Sequence, residues 1–117
     1  MSGFDEFSES VDRELRAAGL RSADLETGEG GYAIQAGEVS NTGEPCLIVI
    51  WSASAELTDR AFEEMRSGQQ GAGTVLHVGR IKHSMADAVS EILVSAGMVA
   101  RISSDDLAPA VVEVLPS

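Results

Sequence analysis

Seven consecutive residues, Pro45-Cys46-Leu47-Ile48-Val49-Ile50-Trp51, are apolar at odd and even positions alike. A strand with one wet face alternates, so this run predicts a strand buried on both faces or set near the centre of a sheet. Pro45 cannot donate to a ladder and belongs at the strand entry. The rest of the chain has to be arranged around this strand. Upstream, Ala23, Leu25 and Thr27 alternate with Asp24 and Glu26, and Tyr32, Ile34 and Ala36 form a second alternating stretch. Gly28-Glu29-Gly30-Gly31 and Ser40-Asn41-Thr42-Gly43 supply the turns between them. A three-stranded meander is the expectation.

The opening segment has a different period. Phe4, Phe7, Val11, Leu15 and Ala18 recur at spacings of three and four, which predicts a helix over about residues 3–18. Ser2 and Asp5 give it a capping-box-like start, and Gly19 with Leu20 is a glycine stop. After the apolar strand, Ser52 or Ser54 caps a helix reaching Arg66, with Leu57, Ala61, Phe62 and Met65 inward and Gly68 as its stop. Residues 69–82 carry two rhythms. Thr74 to Val78 is β-branched enough for a strand, yet Val75, Val78, Ile81 or Lys82, and Met85 also sustain a helical period. Strand is favoured, because Ser84 with Asp87 forms a fresh capping box and Gly79 costs a helix about 1 kcal/mol. From Met85 the pattern Ala88, Val89, Ile92, Leu93, Ala96 is helical and ends at Gly97. Residues 98–102 and 110–115 then read as two strands around a polar turn, with Pro109 at the second entry.

The order α-β-β-β-α-(β)-α-β-β, with adjacent strands joined by short links, predicts an α+β protein. Its expected form is one two-layer domain, an antiparallel sheet of about five strands with helices on one face. A helix, a three-stranded meander and a helix are topologically similar, over about the first 66 residues, to the double-stranded-RNA-binding arrangement. In size, acidity and class the chain is also similar to small acidic secretion chaperones and toxin-immunity proteins. Neither likeness carries a residue across.

Charge narrows the function. Nineteen acids against eight basic residues give −11, which opposes phosphate backbones and anionic lipid, so neither nucleic acid nor membrane is an expected partner. The imbalance is uneven. Residues 1–64 hold fourteen acids and four arginines, whereas residues 65–104 hold two acids and four bases. One cysteine excludes an intrachain disulfide, and the opening residues lack the basic and apolar regions of a secretory signal, so a cytoplasmic protein is expected. Alanine and arginine in preference to lysine point to a GC-rich, bacterial type of genome.

No residue pattern assembles a catalytic centre, a cofactor site or a metal set. The glycine-rich stretch 68–74 lacks the lysine of a Walker loop and follows a helix rather than a strand. Cys46 lies in an apolar strand, where burial raises a thiol pKa and leaves it inert. Glu63 and Glu64 diverge by about 100° on a helix and make a poor acid and base pair. Met65, Met85 and Met98, with Phe62, are read as core filling rather than as an adaptable groove. His77, Arg80, Lys82 and His83 are the one concentration of cations, a candidate anion site at the centre of an alternative reading as a small-ligand protein or small enzyme built on residues 68–83. The leading expectation is a non-catalytic binding or regulatory module. Its contacts are Glu6, Glu9 and Glu14 of the first helix with Asp59 and Glu63 of the second, for a basic protein partner or for a homodimer. Oligomerisation through an open sheet edge in the 98–115 hairpin is a third expectation.

Overall fold

The computed structural model describes residues 3–39, 42–68, 73–103 and 110–116. Three helices, α1 (Gly3–Ala17), α2 (Ala55–Arg66) and α3 (Gly73–Ser95), accompany four strands, β1 (Gly31–Glu38), β2 (Pro45–Ser52), β3 (Val99–Ile102) and β4 (Val111–Leu115). The strands form one antiparallel sheet in the order β1-β2-β4-β3. The class is α+β, and the described residues hold four strands rather than the expected five.

The apolar run becomes β2 and takes a central place, paired with β1 on one side and β4 on the other. Leu47 and Val49 point into the core with Val112 and Val114 of β4, opposite Val11 and Leu15 of α1 and Ala86, Val89 and Leu93 of α3. Helices α1 and α3 thus cover one sheet face. Ile48 and Ile50 lie on the other face and are only half-buried. Glu113 also looks away from the helices, is 2% exposed and accepts from the Arg101 Nε at 3.3 Å.

The glycine stops at Gly19 and Gly97 are Schellman motifs. Gly19 has φ +94°, with Gly19 N–H donating to Arg16 and Leu20 N–H to Leu15. Gly97 and Met98 donate in the same way to Val94 and Leu93. Ser54, not Ser52, caps α2, its hydroxyl accepting from Leu57 N–H at 3.2 Å. Ser2, Pro109 and most of the 103–106 turn lie outside the described residues.

Two expected strands are absent. In place of a strand at 23–27, residues 25–28 form a turn, flanked by isolated bridges from Ser22 to Tyr32 and Asp24 to Glu29. The Asp24 carboxylate accepts from the backbone N–H of Glu26 and Thr27, a local bond that competes with strand pairing. Leu25, read as part of an alternating strand, is 99% exposed at that turn. With this strand gone, the order is α-β-β-α and the likeness to a double-stranded-RNA-binding arrangement fails. Residues 74–78 are helical. The helix α3 runs unbroken from Gly73 to Ser95, and Ser84 with Asp87 lies in its interior instead of starting a new helix. The Glu64 carboxylate serves as its cap, accepting from both the backbone N–H and the hydroxyl of Thr74. That cap and the continuous apolar period outweigh the cost of Gly79.

Candidate protein-binding surface

Length alone makes α3 overhang the sheet. Its 23 residues span roughly 35 Å, whereas the 8-residue strands β1 and β2 span roughly 26 Å and β3 and β4 less. Its buried residues, Ala86, Val89 and Leu93, all belong to the second half. The first half packs with α2 as a helical hairpin, and α2 has no buried residue at all. Here the expectation that Phe62 and Met65 point into a core fails. They are 56% and 60% exposed, because α2 meets one helix instead of a sheet. Thr58, Ala61, Phe62, Met65, Val75, Val78 and Lys82 line an open groove of about 210 Å³ between the two helices. Leu76, on the outside of α3, is 58% exposed. Met85 and Met98 are half-buried, closer to the expected filling role.

The two helices that form this groove differ in charge, although Lys82 alone among the groove-lining residues is charged. Helix α2 carries Glu56, Asp59, Glu63 and Glu64 against Arg60 and Arg66, while α3 carries His77, Arg80, Lys82 and His83 and no acid before Asp87. Glu63 pairs with Arg66 at 2.5 Å on the open surface, a contact worth little in water. Asp59 makes no ion pair with any described residue. The α1 candidates are on a separate helix. Glu6 and Glu9 are exposed and Glu14 is half-buried there.

The anion candidates are redistributed by the helix. At 100° per residue, Leu76, Arg80 and His83 share one outer stripe with His77 beside it, whereas Lys82 turns into the groove. All four are exposed, and their heads do not converge. Residues 69–72 of the glycine-rich stretch lie outside the described residues. Among the described residues no three His, Cys, Asp or Glu side chains lie close enough to hold a metal ion, and no helix is long and apolar enough to cross a membrane. The Cys46 thiol is buried and pushed above its ordinary pKa, first by burial and then by the Glu113 carboxylate. At the sheet edge, β3 is four residues long and carries Arg101, features that blunt an edge.

A second surface lies between α1 and β1. Ser8, Glu9, Asp12, Ser22, Tyr32 and Ile34 help to line an open groove of about 490 Å³. The Tyr32 hydroxyl donates to Asp12 at 2.5 Å, and Arg16 pairs with the same carboxylate at 2.9 Å. The Tyr32 bond lowers the Asp12 pKa against the opposing effect of burial, and Arg16 adds to the lowering. Tyr32 itself is pushed up from 10.0 to about 12, chiefly by burial and then by its bond to Asp12. A group whose pKa rises on folding supports the fold below its unfolded value and ceases to as pH climbs through the folded one. Stability is therefore expected to fall between pH 10 and about 12. Tyr32 is the sole tyrosine, so tyrosinate absorbance reads it directly. An Asp12→Asn variant should titrate lower, and a folded wild type titrating at 10 would contradict the contact.

The fold and this surface define a two-layer α+β protein with an overhanging helical hairpin. Comparison with family models, curated proteins and solved structures finds no match.

Proposed function

We propose that the chain is a non-catalytic protein-binding module whose docking element is the α2–α3 hairpin. The observation that supports this is a helix with no buried residue that nonetheless exposes Phe62 and Met65 beside Val75. Each such side chain would contribute about 1.5–3 kcal/mol on full burial, so a second surface covering the groove gains what the isolated fold leaves unused. Lys82 is the only charged side chain among the residues lining the groove; Asp59 and Glu63 stand on other faces of α2 and, with the other acids of residues 1–64, add long-range attraction for a partner carrying cations beside its apolar face. Glu6, Glu9 and Glu14 add long-range attraction for a basic partner without lining this groove.

The test uses a synthetic amphipathic helix with a leucine face and a lysine flank, titrated into the isotope-labelled chain. Amide shifts are expected at residues 57–66 and 74–83, weakening as salt shortens the Debye length from about 10 Å to about 3 Å. Phe62→Asp should weaken binding at least about tenfold. Shifts confined to α1 or to the second groove, or indifference to Phe62→Asp, would refute the reading.

A further inference from the structure

We propose that the groove between α1 and β1 is a second docking site, in which an extended segment of a partner protein, with cationic side chains at alternate positions, pairs with the open edge of β1. This surface is separate from the α2–α3 hairpin and does not rest on the reading of it.

Strand β1 is an edge of the sheet. In an antiparallel ladder every second residue turns both its N–H and its C=O to the paired strand, and the residues between turn theirs away. Tyr32 belongs to the second set, since its N–H donates to the Arg21 carbonyl and its C=O accepts from Ala23 N–H, on the side away from β2. Val39 continues the first set, its N–H donating to Glu44 across the β1–β2 connection. Ile34 and Ala36 therefore face outward as Tyr32 does. The 21–23 segment covers the edge at Tyr32 and then turns away, so neither Ile34 nor Ala36 has a hydrogen-bond partner on that side among the described residues. Four backbone groups are left open in register. Proline, lysine and bulges are the devices that blunt an edge. Strand β1 has eight residues in unbroken register, with no proline, no lysine and Glu38 as its one charge.

Helix α1 runs back along this edge. Arg16 reaches the Ser22 hydroxyl at 3.4 Å and Asp12 accepts from Tyr32, while Ser8 and Glu9 line the groove together with Ile34. An added strand bound in this way pairs its main chain with the edge and places alternate side chains in flanking pockets. Tyr32 and Ile34 pack on the core side, so half of the added side chains would turn towards α1, level with Glu9, and the others to the face carrying Ala33 and Gln35.

The charge of the lining selects the occupant. Glu9 and Asp12 are its only charged residues among those described. Asp12 is engaged by Tyr32 and Arg16, whereas Glu9 is exposed and makes no ion pair with any described residue. A lysine or arginine on the α1 side of an added strand meets Glu9 at close range. A second copy of β1 would instead bring the same acids to the same place, against the repulsion of −11 on each chain.

The probe is a short, end-capped peptide of alternating lysine and threonine, titrated into the isotope-labelled full chain. Amide shifts are expected at residues 8–12 and 32–38. At saturation, hydrogen exchange at Ile34 and Ala36 should slow at least about fivefold, while Ala33, Gln35 and Gly37, already turned to β2, change little. N-methylation should separate alternate peptide residues into two sets, one losing about tenfold or more in affinity and the other staying within about threefold, because only every second N–H meets the edge. Glu9→Lys should weaken binding about tenfold, and a glutamate–threonine peptide should not bind. Glu9 is exposed, so circular dichroism should show an unchanged fold. Binding that ignores N-methylation or Glu9→Lys, or that leaves exchange at Ile34 and Ala36 as it was, would overturn the proposal. So would a purified chain that sediments as a dimer with those two amides already protected, because a second copy would then hold the edge. Phe62→Asp should leave peptide binding within about twofold, and a larger loss would place the peptide on the hairpin instead. The hairpin reading is decided by the amphipathic helix and Phe62, this one by the peptide with Ile34 and Ala36, so either can fall alone.

Discussion

Adding a single methyl group at Gly31 is expected to destabilise the fold by about 3 kcal/mol and lower the melting temperature by roughly 10 °C. A Cβ there would stand 2.3 Å from the Arg21 carbonyl oxygen and 2.7 Å from both the Ala23 nitrogen and the Ser22 carbonyl carbon. These are backbone atoms and cannot swing aside as a side chain does. They are also held in place, since Tyr32 N–H donates to the Arg21 carbonyl and Ala23 N–H to the Tyr32 carbonyl. Making room therefore breaks hydrogen bonds at the start of β1 and disturbs the turn that follows α1. Gly79 offers the opposite case. It lies inside α3 with nothing within 4 Å of its would-be Cβ, so alanine should stabilise by about 1 kcal/mol. Urea unfolding of the two variants compares them directly. A Gly31→Ala chain within about 1 kcal/mol of wild type would show that the 21–23 segment yields.

Much of this architecture was legible in the sequence where local chemistry decided the outcome. The period of Phe4 to Leu15, the glycine stops at Gly19 and Gly97 and the both-faced apolarity of Cys46 to Trp51 each have one economical solution, and the structure adopts it. The errors arose where a non-local fact decided. Residues 23–27 alternate well enough for a strand, but the Asp24 side chain closes a turn on itself first. Residues 74–78 are β-branched at Thr74, Val75 and Val78, yet the sheet is complete without them, and Glu64 caps a helix there from ten positions upstream. The candidate surface was half visible. Lys82 stands out in the sequence by its charge, while the helical period of Phe62 and Met65 predicts core positions that the structure leaves open. Periodicity reports which side chains share a face, but whether another element arrives to cover that face is a matter of tertiary placement. The signal available was length: a continuous α3 outruns strands of this size, and whatever packs on its overhang stays exposed.

That distinction between shared face and covered face has a measurable counterpart in the second large effect, at Leu93. Leu93 is 0% exposed between the helices and the sheet, so Leu93→Ala should cost about 3–4 kcal/mol through lost burial and the cavity left behind. Phe62 is the larger side chain, yet Phe62→Ala in dilute solution should cost about 1 kcal/mol or less, since more than half of its surface is already in water. The reversed ranking follows from placement rather than from size, and equal losses in urea unfolding would mean that α2 is packed more deeply than described.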